Sequence, residues 1–148
     1  MRALVQRVSE ASVAIESKIH DTINKGLLIF LGVTHDDTSK DAEYLAQKCS
    51  ALRIFEDGEN KMNLSVKDID GEALVISQFT LYADTRKGNR PNFMQAARHE
   101  TALQRYEEFL SALRNEMGIT KVHAGIFSAM MDVHLVNAGP VTVMLESK

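Results

Sequence analysis

The sequence predicts a mixed α/β fold in a single domain over residues 1–148, mainly antiparallel β-sheet with two main helices against it. Three observations predict this. Most apolar residues recur every second position or in short unbroken runs, as in half-buried and fully buried strands. Only two stretches space their apolar residues by three and four, as an amphipathic helix does. No internal repeat, low-complexity tract or linker composition divides the chain.

In chain order, RALVQRV nearly alternates and ASVAIES follows after a short break, which predicts an antiparallel hairpin. GLLIFLGV is continuously apolar, so it reads as a central strand covered on both faces. In SKDAEYLAQKCSALRIF, residues Ala42, Leu45, Ala46, Cys49 and Leu52 share one helical face, and Ser39 is the expected N-terminal cap. EDGENKMNLSVKDIDGE is a polar, turn-rich connection, and EALVISQFTLYAD is a further strand. ETALQRYEEFLSALRNEMG forms the second helix, with Leu103, Tyr106, Leu110, Leu113 and Met117 in its stripe and Gly118 as its stop. MDVHLVN and VTVMLES make a terminal pair of strands.

Composition narrows the function classes. Hydrophobic content of 45% and charged content of 25% are ordinary globular values. No run of about 20 apolar residues exists to span a membrane, and the alternating N-terminus lacks the apolar block of a signal peptide. The lone Cys49 has no intramolecular partner, which suits a reducing cytoplasm, and its place on the helix stripe reads as core. A net charge of −3 argues against a protein that coats nucleic acid nonspecifically, and no DNA partner is expected. One basic cluster stands out, Arg86, Lys87 and Arg90 in TRKGNR, whose plainest reading is a solvated loop.

The chain has no GxGxxG, P-loop, HExxH, CxxC or GxSxG, and its five histidines lack close ligand spacing, so neither a metal nor a cofactor is expected. Two features remain. Ser77, Gln78 and Thr80 interrupt the end of a very apolar strand, where polar groups are costly unless hydrogen-bonded. They either face solvent or a neighbouring strand, or they line a pocket whose backbone N–H groups and Thr80 hydroxyl stabilise an oxyanion or orient a water. The second feature is Gly139-Pro140, set inside VNAGPVTVML. Proline cannot donate to a ladder, so the pair is either a hairpin corner or a rigid backbone device aimed at a ligand.

Taken together, SQFTL (77–81), KGNRPNF (87–93) and NAGPVT (137–142), with MRALVQRVSEASV and KGLLIFLGV ahead of them, resemble the D-aminoacyl-tRNA deacylases over essentially the full chain. With the resemblance, the expected fold becomes a single domain of mainly antiparallel β-sheets forming a barrel-like core flanked by two main helices. The resemblance implies a cytoplasmic, metal-free homodimeric hydrolase. Its substrate is the ester joining a D-amino acid, or a glycine mischarged on tRNA(Ala), to the terminal adenosine at the tRNA acceptor end. It implies that Ser77, Gln78, Phe79 and Thr80 line the catalytic pocket and that the Phe79 N–H is the oxyanion donor. Thr80 then binds and positions, with nucleophile as the alternative, while the ribose 2′-OH helps to activate water. Gly139 and Pro140, joined by a cis bond, enter the other subunit's pocket and exclude L side chains. Arg7 orients that pair. Phe127 and Met131 of GIFSAMMDV match pocket-wall positions of the family's FGAxM motif. Arg86, Lys87 and Arg90 are expected at phosphates near the acceptor terminus, against a structural role for Arg90 in the RPNF turn.

The chain departs from the family pattern at Ser128, where glycine is common, and at Ala138, where an acidic residue is common. Two rival functions follow from the same letters. One is a nonenzymatic RNA-end binding module on this scaffold. The other is a relative with a trans Gly-Pro bond that acts on L-alanyl-tRNA.

Overall fold

The computed structural model describes residues 1–148. β1 (Arg2–Ile15) is one continuous strand, where a hairpin was expected within it. The polar and charged residues around Ser9 and Glu10 are exposed without ending the strand, because β1 bonds to β8 (Asp132–Glu146) along nearly its whole length. The hairpin lies one step later, at Glu16 and Ser17 (φ +50° and +62°), and leads into β2 (Lys18–Ile23).

β3 (Gly26–Gly32) pairs antiparallel with the first half of β1. α1 (Ser39–Ala51) and the small hairpin of β4 (Phe55–Glu56) and β5 (Met62–Leu64) follow it. The chain then returns as β6 (Glu72–Ser77), parallel to β3, since a long crossover permits a parallel neighbour. α2 (His99–Met117) makes the next crossover, to β7 (Val122–Ala124), parallel to β6. α2 stops at Gly118 as its sequence predicts. α1 begins one residue earlier than expected. Thr38 is its cap, and the Asp41 carboxylate accepts the Thr38 N–H and hydroxyl, each at 2.8 Å.

The sheet order is β2-β1-β3-β6-β7, with β8 added along β1. The sheet curls until β2 and β7 meet, forming a nearly closed barrel whose seam is held by His123 Nδ1 and Asp21 Oδ1 at 2.7 Å. β3 is buried on both faces, as expected. Leu27, Ile29 and Leu31 join the core beneath the helices with Leu45, Phe109 and Leu113. Leu28 points the other way, with Val8, Val13, Leu74 and Ile76. At about 25 cal/mol per Å² of buried apolar surface, such double coverage makes β3 the firmest support for the strand beside it, β6.

MDVHLVN and VTVMLES are halves of a single strand, not a hairpin pair. β8 keeps its pairing with β1 on both sides of Gly139-Pro140, with Val8 opposite Asn137 and Gln6 opposite Thr142. Residues 138–141 therefore bulge out opposite Arg7.

Candidate active site

β6 ends at Ser77, opposite Leu31 of β3, and the Gln78 N–H makes a last bond to the Leu31 carbonyl at 2.8 Å. The chain then turns away as a single 3₁₀ turn, Phe79–Tyr82, where the sequence suggested a longer strand. Leu81 is the first residue of that turn to bond back, onto the Gln78 carbonyl at 3.3 Å. The Phe79 and Thr80 N–H groups precede it, so they have no acceptor within the turn. A strand end giving way to a helical turn thus leaves two adjacent donors beside a cavity.

That cavity holds about 460 Å³ and is mostly apolar. Ser77, Gln78 and Phe79 form one wall, and Phe127 and Met131 lie on another, so these five predicted residues meet. Thr80 is exposed just outside, and its hydroxyl oxygen accepts a hydrogen bond from the Gln78 amide. An amide N–H is no base, so this contact orients the hydroxyl without activating it as a nucleophile.

Three residues that the sequence reading did not assign to the site complete it. His99, the first residue of α2, packs edge-on against Phe127 at 5.2 Å, and Tyr106 lies on Phe127 at 5.5 Å. The Tyr106 hydroxyl donates to the Val75 carbonyl at 3.0 Å, and burial raises its pKa well above the usual phenol range. Phe93 stands edge-on to the half-exposed Phe79 at 5.1 Å. The helical stripe had already marked Tyr106 as buried. Nothing local to the sequence marks His99 or Phe93, because only the packing of the 84–99 segment over β3 brings them in.

The basic loop emerges beside this wall. Asp84 and Asn92 bridge its base, with backbone bonds of 2.8 and 3.0 Å. Within it the Arg86 guanidinium grips Asp84 at 2.9 and 2.7 Å, and this contact lowers the Asp84 carboxyl to about 2. Lys87 and Arg90 are exposed and make no ion pair, so they are the loop's unspent charges. Arg90 makes no hydrogen bond that would pin the RPNF turn.

Gly139 and Pro140 lie apart from their own chain's cavity, exposed on the β8 bulge. The peptide between them is cis. Arg7 is buried and holds the bulge from below. Its Nε donates to the Ala138 carbonyl at 2.7 Å and its Nη1 to the Ile54 carbonyl at 2.6 Å. Asn137, unremarked in the sequence, closes the bulge from within. Its Oδ1 accepts the Val141 N–H at 2.8 Å, and its Nδ2 donates to Gln6 Oε1 and Thr142 Oγ1, each at 2.9 Å. Gly139 has φ +139°, and a Cβ there would sit 2.5 Å from Arg7 Nη2, so a side chain would strain the backbone and push the guanidinium aside.

Comparison with known proteins gives the family. The family model described as D-Tyr-tRNA(Tyr) deacylase matches residues 4–146. The chain is 58% identical over 147 residues to a D-aminoacyl-tRNA deacylase of Thermotoga petrophila, covering 99% of this chain and 97% of the relative. It is 57% identical to one of Desulfatibacillum aliphaticivorans, covering both chains fully. Among solved structures, a c-Myc DNA Unwinding Element Binding Protein superposes with a TM-score of 0.96 at 41% identity, covering 100% of this chain and 99% of that one. A probable eukaryotic D-amino acid tRNA deacylase superposes at 0.85 with 16% identity and 98% coverage of each chain, a likeness of fold. A strand end with free N–H donors, an apolar cavity beside it and a clamped Gly-Pro bulge are thus housed in a chain that belongs to the D-Tyr-tRNA(Tyr) deacylase family, the D-aminoacyl-tRNA hydrolases.

Proposed function

We propose that this protein hydrolyses the ester of D-aminoacyl-tRNA, and of glycine mischarged on tRNA(Ala), and rejects L-aminoacyl esters by exclusion. The observation that carries the reading is the Gly139-Pro140 bulge, exposed yet clamped by Arg7 and Asn137. A loop without function has no need of a buried guanidinium to hold it. The bulge lies outside its own cavity, and the β8 edge away from β1 is unpaired. Val136 and Met144, 49% and 45% exposed, add apolar surface along that strand. A homodimer built through this face carries the bulge into the partner's cavity and makes each site a shared one.

The chemistry follows from the wall. The Phe79 N–H meets the oxyanion as water attacks the ester carbonyl, a type of contact worth about 10²–10³ in rate. Thr80 and Gln78 position the substrate, and Ser77 lines the pocket floor. The substrate's own 2′-OH helps to activate the water, since no side-chain base bonds to Thr80. Phe127 and Met131 enclose the nucleoside. Lys87 and Arg90, with Arg86 partly neutralised by Asp84, meet acceptor-end phosphates. An L side chain collides with the partner's Gly-Pro backbone, a D side chain points away from it, and glycine has none, so selection needs no side-chain pocket. The cytoplasm, where charged tRNA circulates, is the compartment that fits.

The test follows D-Tyr-tRNA and L-Tyr-tRNA with time in the presence of a chelator, beside a Gly139→Ala, Pro140→Ala double variant. Rapid loss of the D-ester alone, with selectivity relaxed in the variant, supports the reading. Binding of tRNA without loss of either ester overturns it in favour of a binding module. Cleavage of L-alanyl-tRNA by the unaltered protein favours the L-alanine rival.

A further inference from the structure

The two walls of the cavity are chemically unlike. Ser77 to Phe79 present backbone donors, whereas the wall formed by His99, Phe127 and Tyr106 is aromatic. Two polar side chains of the lining are already committed. The Tyr106 hydroxyl donates to the Val75 carbonyl and the Gln78 amide to Thr80. His99 differs. It lines the cavity from an exposed position at the rim, with no hydrogen bond or ion pair at either ring nitrogen.

Its position is also fixed from outside the site. Just ahead of α2, the Ala97 N–H bonds to the Val33 carbonyl at 2.9 Å and the Thr34 hydroxyl donates to the Gln95 carbonyl at 2.6 Å. The imidazole is therefore carried to the rim by a segment tied to the end of β3, and the face of Phe127 orients its ring.

We infer that His99 is a specificity-determining contact for the substrate's terminal nucleoside, its imidazole hydrogen-bonding the edge of the purine base. The inference rests on the reading under Proposed function, which directs the ester to the Phe79 donors. The base of that nucleoside then falls on the opposite, aromatic wall, where stacking is indifferent to base identity. Stacking alone cannot tell adenine from another purine. The two imidazole nitrogens point apart, so a ring held on Phe127 turns one nitrogen toward the base, and its lone pair accepts from the adenine amino group, which hypoxanthine lacks. His99 thus adds the base discrimination that the remaining apolar lining lacks.

Two variants separate packing from recognition. His99→Phe keeps an aromatic ring on Phe127 and removes both nitrogens; His99→Gln keeps a donor and an acceptor and removes the ring. Binding is measured with non-hydrolysable 3′-(D-alanylamino)-3′-deoxyadenosine and its inosine counterpart, alongside KM and kcat on D-Tyr-tRNA. The unaltered protein is expected to prefer the adenosine probe about tenfold, the scale of one net hydrogen bond. His99→Phe is expected to lose that preference and raise KM about tenfold with little change in kcat, while His99→Gln retains most of the preference. Equal preference in the unaltered protein and His99→Phe overturns the inference, even if D-ester cleavage is normal. If the unaltered protein cleaves no D-ester, the deacylase reading falls. A base preference abolished in His99→Phe would still support His99 as a nucleoside contact.

Discussion

Ser128 shows how one residue records the shape of a wall. It follows Phe127 with φ +65°, a left-handed conformation that costs a residue with a Cβ about 1–2 kcal/mol. A glycine meets this backbone conformation without that cost, and the serine hydroxyl makes no hydrogen bond that would offset it. Ser128→Gly is expected to stabilise the fold by about 1 kcal/mol, a rise of roughly 2–4 °C in Tm by calorimetry. A fall in Tm would mean that the serine side chain contributes a contact of its own. Ala138, the other departure, offers its carbonyl to Arg7, so the clamp on the bulge works through the backbone and needs no carboxylate. Cys49 is fully buried, and burial pushes its thiol up to about 12, which fits the core role read from its helix position and leaves no thiolate for chemistry.

Among the elements, α1 carries the clearest electrostatic signature. Asp41 is buried at the first turn, and burial alone would raise its pKa. The Thr38 N–H and hydroxyl, aided by Ser147 and Lys148, outweigh that and hold the carboxyl well below its usual range. A folded pKa below the unfolded value of about 3.9 gives stability that is fully present above that value. It is lost as pH falls through the depressed folded value. Asp41→Asn should therefore cost about 1 kcal/mol at neutral pH, the typical worth of a cap, and flatten the acid limb below about pH 4. Urea midpoints from pH 7 to pH 2 check this, and parallel curves for the two proteins would refute it. The 84–92 loop teaches a related lesson. Three basic residues in sequence are not three free charges, because Arg86 already spends its guanidinium on Asp84.

For the whole molecule, the open edge of β8 is the consequential feature. β1 and β8 form the longest ladder in the fold, yet β8 leaves its far edge unpaired and sets Met144 and Val136 partly in solvent. If a second copy covers this face, Met144→Lys should yield monomers in sedimentation velocity and lose D-ester cleavage, since each cavity then lacks its partner's bulge. A Met144→Lys protein that sediments as the unaltered protein does would remove β8 from the interface. The His123–Asp21 contact closes the barrel where no ladder bond does, so the curvature rests on side chains as well as backbone.

Much of this was legible in the letters because local rules governed it. The stripe of Ala42, Leu45, Ala46 and Cys49 set α1, the unbroken run of GLLIFLGV announced a strand buried twice over, and Ser77 and Gln78 of the polar interruption line a cavity, one of the two readings those letters left open. Each depends on periodicity or on the cost of burying a polar group, both written in neighbouring residues. The hairpin expected within β1 and the corner, one of the two readings open for Gly139-Pro140, both fail for one reason. Each strand continues past its interruption because pairing with the other resumes on the far side, and that partner is more than 100 residues away. Distance in sequence likewise hid Asn137 behind the bulge, Phe93 beside Phe79 and His99 against Phe127. The sequence by itself determined the two helices, the central parts of β1, β3, β6 and β8, and where polar atoms break an apolar run. Only the tertiary structure decided which of those breaks face each other, because long-range pairing, not local preference, satisfies the backbone there.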